Sequence, residues 1–229
     1  MILQFVLFTI GAYLLGSVPA AYLIVKWTRG VDIRKVGTGK VGASNVLSAG
    51  PKWAVIPVAI FDVGKGALSV WIAKLLGLNE WQQIIVGFGA IIGHNWPIYL
   101  GFKAGGRGVF ASLGVIFMLS WKVGLFALIF PYLFAPIHQV ALGVFLAYLA
   151  LPVAGWFFGG PYPDGAKLPA TVGLIAILVM GLSRRLIARR NEISKKSPWH
   201  EVIVNRLLFD RDISNRKAWI NNGSGANTK

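Results

Sequence analysis

Long apolar runs alternate with short segments rich in glycine, proline and charge along most of the chain. A helix that crosses a bilayer needs about 20 mostly apolar residues, so these runs predict membrane-spanning helices. The predicted fold class is therefore all-α: a polytopic bundle of transmembrane helices with seven spans. The spans cover residues 2–24, 53–76, 81–100, 109–119, 123–135, 140–158 and 168–187.

Two of these predicted spans are short. Only Ser120, Trp121 and Lys122 separate residues 109–119 from residues 123–135. One long helix over residues 109–135 is the alternative. Five spans are also possible if the weak segments enter the membrane and return on the same side.

The distribution of charge predicts the orientation. If the spans alternate, residues 26–52, 101–108 and 184–229 lie on one side, and they hold most of the 23 lysines and arginines. Because cytoplasmic loops carry an excess of Lys and Arg, this side is expected to be cytoplasmic. The N-terminus is then outside and the C-terminus inside, which requires an odd number of spans.

Composition excludes several classes of protein. Of the 229 residues, 55% are hydrophobic and only 14% are charged, whereas soluble domains have about a quarter charged residues. The net charge of +15 combined with apolar runs indicates anionic membrane lipid or a phosphorylated substrate as partner, and no nucleic acid. With 0 cysteines there is no disulfide, thiolate metal site or cysteine nucleophile. No cofactor or metal is indicated.

The first run reads as a retained helix and not as a cleaved signal peptide, because no basic residue precedes it and no small-residue cleavage site is evident. Residues 1–187 form the predicted membrane domain, with functional cytoplasmic loops at residues 26–52 and 101–108. Residues 188–220 form a basic cytoplasmic tail whose apolar patch, residues 202–209, predicts a surface helix. Residues 221–229 are expected to be disordered.

Two of the predicted cytoplasmic loops are rich in glycine. Glycines let the backbone turn tightly and present N–H groups to an anion, and neighbouring hydroxyls and cations add donors. Phosphate is the expected guest. The alternative is that the glycines only form turns and the cations only follow the positive-inside rule. The first loop has Gly37, Thr38, Gly39, Lys40, Gly42, Ser44 and Asn45, and the second has Gly105, Gly106, Arg107 and Gly108.

Asp62, Lys65 and His94 are ionisable residues well inside predicted spans. Asp62 and Lys65 are three positions apart on one helix face, so they can pair. Charged groups at this depth are costly, which makes them functional candidates, although a purely structural ion pair is the simpler alternative. His94 lies just ahead of Pro97 and of the second glycine loop, a position suited to a general base or a phosphate donor. His138 lacks such neighbours and is interpreted as structural.

These motifs, in this order, resemble one family: the bacterial integral-membrane acyl-phosphate:glycerol-3-phosphate acyltransferases of the PlsY type. The match is carried by spaced motifs that run from Gly16 to Asp212. They are Gly16-Ser17-Val18-Pro19, residues 32–45, Asp62-x-x-Lys65-Gly66, Gly93-His94-x-x-Pro97, Gly105-Gly106-Arg107-Gly108-Val109 and His200-x-x-x-x-Asn205-Arg206-Leu207-Leu208 with Asp212.

The resemblance implies transfer of a fatty acyl group from acyl phosphate to glycerol 3-phosphate, giving lysophosphatidic acid and phosphate for phospholipid synthesis at a bacterial inner membrane. On this interpretation the first loop cradles one phosphate, with charge from Arg34 and Lys65, and the second loop holds the other. Either His94 or a substrate phosphate oxygen takes the hydroxyl proton. His200 is a further candidate. Thr38 is expected to act as a hydrogen-bonding group more than as a nucleophile, because no adjacent base accompanies it.

The chain departs from the family pattern at a few positions. Lys40 and Ile203 stand where the family has Asn, Asp210 replaces Gly, and Asp212 is one carbon shorter than Glu. These departures leave two alternatives open: a divergent paralogue with another acyl donor or acceptor, and a transporter or binding protein for a phosphorylated solute. The transporter alternative lacks the internal repeat that many transporters show.

Overall fold

The computed structural model describes residues 2–103, 105–158, 167–187, 192–195, 197–216 and 218–219. The predicted disordered end, residues 221–229, lies outside the described residues, as do parts of the predicted tail. All regular structure in the described residues is helical, as the sequence predicts. The packing divides the chain into two compact units, with the boundary between Leu119 and Ser120.

The first unit contains six α-helices in its described residues, and short 3-10 turns flank several of them. The helices are α1 (Ile2–Ser17), α2 (Ala20–Arg29), α3 (Ala43–Ala49), α4 (Val55–Leu75), α5 (Glu80–Asn95) and α6 (Val109–Leu119). Helix α1 packs mainly on α5, and α4 packs mainly on α6.

Glycines set how closely these helix pairs approach. A Cβ atom built on Gly16 of α1 would lie 2.2 Å from the backbone oxygen of Ala90 in α5. Between α4 and α6, a Cβ on Gly66 would lie 2.1 Å from the backbone oxygen of Ala111. Helices in lipid gain little from hydrophobic burial against each other, so such close van der Waals packing stabilises the bundle.

Proline interrupts the first predicted span. Residues 2–24 are predicted as one helix, but α1 ends at Ser17 and α2 begins at Ala20. Pro19 has no N–H to donate, and it restricts the residue before it to extended backbone. The interruption leaves Val18 and Pro19 between two helices, and Ala20 and Ala21 in the first turn of the second helix.

The alternative of one helix over residues 109–135 is wrong. Helix α6 ends at Leu119 and a new helix, α7 (Trp121–Ile129), begins after Ser120. The Ser120 hydroxyl accepts a hydrogen bond from the Val123 N–H, which is the role of a helix N-cap. A 3-10 turn at Phe130–Phe134 follows α7.

The second unit continues with α8 (Val140–Phe158), α9 (Lys167–Leu186), α10 (Glu192–Lys195) and α11 (Trp199–Phe209). The predicted surface helix of the tail is therefore present as α11, although its inner face is buried against α8 and α9. Two buried arginines connect α9 and α11 reciprocally. Arg185 of α9 donates to the Leu207 carbonyl, and Arg206 of α11 donates to the Leu186 carbonyl at 2.5 Å.

Two departures from the family pattern have a structural account in this unit. Asp210 follows α11 with φ 55°, a left-handed conformation that glycine adopts most easily and that Asp tolerates. Asp212 still reaches Arg206: its two carboxylate oxygens accept hydrogen bonds at 2.7 and 3.1 Å from Nε and Nη2. The shorter acid therefore forms a buried ion pair.

Four helical segments in the described residues are long and apolar enough to cross a membrane: Ile2–Arg29, Lys52–Leu75, Val140–Phe158 and Lys167–Leu186. Helix α5 has 16 residues and α6 has 11, so length alone does not support all seven predicted spans. Helix α5 stops at Asn95 because Pro97 follows, and a 3-10 turn at Ile98–Leu100 leads into the glycine loop.

Candidate functional site

A small cleft lies in the first unit, where the interruption between α1 and α2 faces α4 and α5. Its ionisable groups are Asp62 and Lys65 from α4 and His94 from α5. Gly16 to Ala21 form the opposite wall, and Val41 of the first glycine loop borders it. The cleft therefore joins three of the motifs that the sequence singles out.

Asp62 is the centre of a buried ionic cluster. Its Oδ1 atom lies 2.8 Å from the Lys65 ammonium and 3.4 Å from Nδ1 of His94. Asp62 and Lys65 are each 3% exposed, and His94 is 8% exposed. The predicted pairing of Asp62 with Lys65 is confirmed. The contribution of His94 to the same carboxylate is an additional finding.

The second glycine loop rests directly on the end of α5. The Gly106 N–H donates to the His94 carbonyl at 3.1 Å. A Cβ on Gly105 would lie 2.0 Å from the Asn95 carbonyl oxygen, and Gly108 has φ 76° beside the Asn95 side chain. These positions require glycine because the backbone of the loop touches the backbone and side chains of α5.

Asn45 organises the first glycine loop from within. It is 1% exposed, and its Oδ1 accepts from the Thr38 N–H at 3.0 Å. Its Nδ2 donates to the carbonyls of Ile33, Val36 and Lys40 at 3.0–3.1 Å. Asn45, predicted as a phosphate ligand, therefore uses its amide to hold the loop together.

Apolar residues of the same loop fix it to the helices. Ile33, Val41 and Val46 are buried in one cluster with Val25 of α2 and Val58 of α4. The polar residues between them point elsewhere: Arg34, Thr38 and Ser44 are exposed. Lys40 and the glycines of the loop have intermediate exposure.

Arg34 is oriented by a neighbouring acid and an aromatic ring. Its Nη2 lies 2.7 Å from Oδ2 of Asp32, and its guanidinium lies 5.1 Å from the centre of the Tyr22 ring. The hydrogen bonds from Arg34 lower the pKa of Asp32 to about 2, so Asp32 is a carboxylate at any physiological pH. The pair leaves Arg34 exposed at the edge of the loop.

The structure places the predicted site residues in three groups. Lys65 and His94 line the cleft, and Arg34 to Asn45 form the loop that borders it through Val41. Gly105 to Gly108 lie against His94 and Asn95. His200 belongs to the second unit, where it is exposed on α11.

Two contributors to the site were given no role from the sequence. Val18 and Pro19 belong to a motif that carries the family resemblance, but the helix interruption there was not predicted. It lines the cleft, and its signal was a proline inside an apolar run. Asn95 is 1% exposed and lies against Gly108, and its signal was a polar residue next to His94 at the end of a span. Neither signal indicates a distance, so sequence alone did not connect them with the glycine loops.

Exposed apolar helix faces, a buried ionic cluster and basic glycine-rich loops together define an integral membrane protein with a site suited to phosphate groups. Comparison with known proteins gives the particular family. The model of the family described as glycerol-3-phosphate acyltransferase matches residues 6–193, so the chain belongs to the glycerol-3-phosphate acyltransferase family.

Similar proteins agree with this assignment. Glycerol-3-phosphate acyltransferase 5 of Dehalococcoides mccartyi strain 195 is 42% identical over 224 residues, covering 98% of this chain and 96% of the relative. The crystal structure of PlsY (YgiH), an integral membrane glycerol 3-phosphate acyltransferase, in its glycerol 3-phosphate form gives a TM-score of 0.71 at 30% identity, covering 84% of this chain and 98% of that one. Its lysophosphatidic acid form gives 0.68 at 32% identity, covering 80% and 88%.

Proposed function

We propose that this chain transfers a fatty acyl group from acyl phosphate to a hydroxyl of glycerol 3-phosphate. The products are lysophosphatidic acid and inorganic phosphate, the first acylated intermediate of phospholipid synthesis. The acceptor follows from family membership, and the relatives named above carry glycerol 3-phosphate in their names. The acyl-phosphate donor follows from the resemblance in the motifs and is the finer part of the proposal.

One observation carries the proposal beyond family membership. Lys65 and Asp62 are buried inside an apolar helix, in a cleft bordered by one glycine loop, and His94 connects them to the other loop. A buried charge is costly unless it is paired, so this cluster is expected to serve the site that it lines. Both substrates carry phosphate, which basic glycine loops are suited to hold.

The reaction needs orientation more than covalent catalysis. Acyl phosphate is an activated mixed anhydride, so holding the acceptor hydroxyl near the acyl carbonyl supplies much of the rate. The hydroxyl oxygen forms a bond to the carbonyl carbon, and the bond from that carbon to the phosphate oxygen breaks. The electron pair of the broken bond leaves with inorganic phosphate. A phosphate oxygen takes the hydroxyl proton.

The choice of proton acceptor rests on the surroundings of His94. The sequence leaves two acceptors, His94 and a substrate phosphate oxygen. Nδ1 of His94 faces Asp62, and a Cβ on Gly106 would lie 2.0 Å from Nε2. Both nitrogens thus lie beside protein groups, which favours the substrate oxygen.

The remaining roles follow the grouping of the residues. The turn formed by Gly37, Thr38, Gly39 and Gly42 cradles one phosphate. The N–H groups of Thr38 and Gly39 already donate to Asn45 and Val36, so Thr38 contributes its hydroxyl, and Ser44 and Lys40 add donors. Arg34 and Lys65 supply positive charge that favours the phosphoanions. Arg107 supplies charge to the second phosphate, and Gly105, Gly106 and Gly108 shape the loop that holds it.

We further propose that residues 1–187 form the membrane domain of a bacterial inner-membrane protein. It has seven spans, its N-terminus is outside, and both glycine loops and the tail are in the cytoplasm. The concentration of lysine and arginine in these segments supports this orientation. Both substrates are then taken from the cytoplasmic side, and the basic surface contacts anionic lipid.

Purified protein in lipid tests the proposal with palmitoyl phosphate and glycerol 3-phosphate as substrates. Phosphate release matched by lysophosphatidic acid is the expected result. Gly39→Ala is expected to weaken it by at least 10-fold, because Gly39 has φ 67° and a Cβ there would lie 3.0 Å from the Arg34 carbonyl oxygen. Gly30→Ala is the matched control: its φ is also 67°, but nothing lies within 4 Å of its Cβ.

The possible results separate the candidate functions. Product from the wild type that depends on Gly39 supports the proposal. Binding of glycerol 3-phosphate without product contradicts acyl transfer from palmitoyl phosphate and favours a different donor or a binding role. Equal losses of activity in Gly39→Ala and Gly30→Ala would show that the first loop is not part of the phosphate site.

A further inference from the structure

The second glycine loop is seated on the imidazole of His94. When a Cβ is built on Gly106, its three nearest atoms all belong to that ring: Nε2 at 2.0 Å, Cδ2 at 2.8 Å and Cε1 at 2.8 Å. The Gly106 N–H also donates to the backbone carbonyl of His94 at 3.1 Å. One residue of α5 thus contacts the centre of the loop through both its backbone and its side chain.

The same ring is held from its other side. Nδ1 lies 3.4 Å from Oδ1 of Asp62, and that oxygen is also 2.8 Å from the Lys65 ammonium. All three side chains are more than nine-tenths buried. A ring between a paired carboxylate and a backbone has little freedom to move, so the position of α4 is transmitted to the loop through His94.

The next residue of α5, Asn95, provides a second contact with the loop. Gly108 has φ 76°, and a Cβ there would lie 2.8 Å from Oδ1 of Asn95. A Cβ on Gly105 would meet the Asn95 backbone oxygen at 2.0 Å. The loop is therefore in contact with two consecutive residues at the end of α5, and only its Gly106 contact depends on a removable ring.

We propose that His94 is a positioning residue that acts through Gly106. The His94 ring determines the distance of residues 105–108 from the end of α5, and Asp62 holds the ring in place. The consequence for catalysis rests on the proposed function: His94 determines how well the loop holds a phosphate-bearing substrate, and it does not carry the proton in the reaction. The contact itself is a property of the fold and is testable without turnover.

A double-mutant cycle between Gly106 and His94 tests the contact. Gly106→Ala places a methyl group inside the imidazole, so we expect it to lower kcat/KM by more than about 10-fold and to lower the unfolding temperature. His94→Ala in the same chain removes the ring and makes room for the methyl group. The double variant is therefore expected to be no worse than Gly106→Ala alone in either measurement.

Gly105→Ala provides the matched control. Its methyl group would meet backbone oxygens of His94 and Asn95, which His94→Ala leaves in place. The losses from Gly105→Ala and His94→Ala are therefore expected to multiply. If the fold-losses in kcat/KM of Gly106→Ala and His94→Ala also multiply in their double variant, the proposal is overturned, because the effects of independent sites combine in that way.

The kinetics of His94→Ala distinguish positioning from proton transfer. A positioning role predicts a KM for glycerol 3-phosphate or palmitoyl phosphate raised by about 10-fold, with kcat reduced by less than about 3-fold. Loss of a general base would lower kcat by about 100-fold or more with little change in KM, and would contradict the proposal.

The two proposals fail in different ways. If the wild type transfers no acyl group, the proposed function fails, while the Gly106 cycle in unfolding temperature still reports on the contact. If transfer occurs but the cycle shows no coupling, the inference about His94 fails and the proposed function stands. Detergent-purified full-length variants that elute as one species serve for both measurements.

Discussion

Asn45 is the residue on which the shape of the first loop depends. Its amide makes four hydrogen bonds within the loop, and all four are lost when the side chain is removed. We expect Asn45→Ala to destabilise the loop by about 2 kcal/mol, because each lost hydrogen bond contributes about 1 kcal/mol and relaxation recovers part of the loss. The kcat/KM for glycerol 3-phosphate should fall by more than about 10-fold.

Asn79→Ala is the matched control for this prediction. Asn79 is also an asparagine whose side chain organises backbone, as the N-cap of α5, but it lies at the end of the helix opposite His94. Its loss should cost about 1 kcal/mol of stability and leave kcat/KM unchanged. Equal kinetic losses in the two variants would show that global destabilisation, and not the loop, limits activity. Thermal unfolding and steady-state kinetics on the same preparations provide the comparison.

The Asp32–Arg34 pair gives the first loop a defined dependence on pH. The pKa of Asp32 is lowered to about 2 from an ordinary 3.8, chiefly by the Arg34 hydrogen bond. A lowered pKa means that the contribution to stability is present above pH 3.8 and is lost as pH falls through about 2. The difference in unfolding temperature between wild type and Asp32→Asn should therefore be constant above about pH 5 and shrink below pH 3.8.

Measuring that difference between pH 6 and about pH 2.5 tests the assignment. In a chain that already carries Arg34→Gln, Asp32→Asn should produce a smaller pH-dependent difference, because the largest cause of the lowered pKa is gone while the backbone N–H of residue 34 and the charge of Lys35 remain. A difference that instead declines between pH 7 and pH 5 would indicate another group. Arg34 is exposed, so solvent screens the pair and the effect should be small.

Helix α4 shows how one element combines packing with the site. Gly64 and Gly66 are two positions apart, and only Gly66 faces a neighbouring backbone. A Cβ on Gly66 would lie 2.1 Å from the Ala111 oxygen of α6, whereas nothing lies within 4 Å of one on Gly64. The same helix carries Asp62 and Lys65, so a shift of α4 away from α6 also moves the cluster in the cleft.

Alanine at each of these glycines should therefore have opposite effects. Gly66→Ala is expected to destabilise the protein by about 3 kcal/mol or to prevent its purification, because the backbones must separate. Gly64→Ala should be neutral or stabilise by up to about 1 kcal/mol, since alanine favours the helix more than glycine does. The unfolding temperature in detergent provides the measurement. Equal effects would show that α4 and α6 are not in close contact.

At the scale of the whole molecule, the sequence predicted the helical class and the apolar segments because those depend on local composition. It did not predict where the first helix is interrupted, because Pro19 is compatible with either a kink or a break. The helix ends near Ser120 were open because a serine can lie within a helix or cap the start of a new one. The site depended on contacts distant in sequence: Asp62 and His94 are 32 positions apart, and no periodicity relates them.

The distribution of charge predicts the arrangement of the chain in the membrane, and the sequence makes a direct test possible. The chain has 0 cysteines, so each single cysteine variant can be labelled alone without a prior background mutation. Three variants are expected to react with a membrane-impermeant maleimide only after the inner face is made accessible: Lys35→Cys, Lys103→Cys and His138→Cys. Asn79→Cys and Lys122→Cys should react in intact cells. All five positions are exposed on the protein, so differences in labelling report the side of the membrane.

Lys122 decides between the remaining topologies. It directly follows the interruption at Ser120, between α6 and α7. Labelling of Lys122→Cys from outside requires α6 and the segment after it to cross separately, as seven spans demand. If these segments instead enter the membrane from the cytoplasmic side and return to it, Lys122→Cys should not be labelled in intact cells. His138→Cys should still be labelled only from the inner face. Five spans would then replace seven.

In both arrangements the two glycine loops lie in the cytoplasm, as the proposed reaction requires. Reaction of Lys35→Cys in intact cells would therefore contradict the proposed orientation itself.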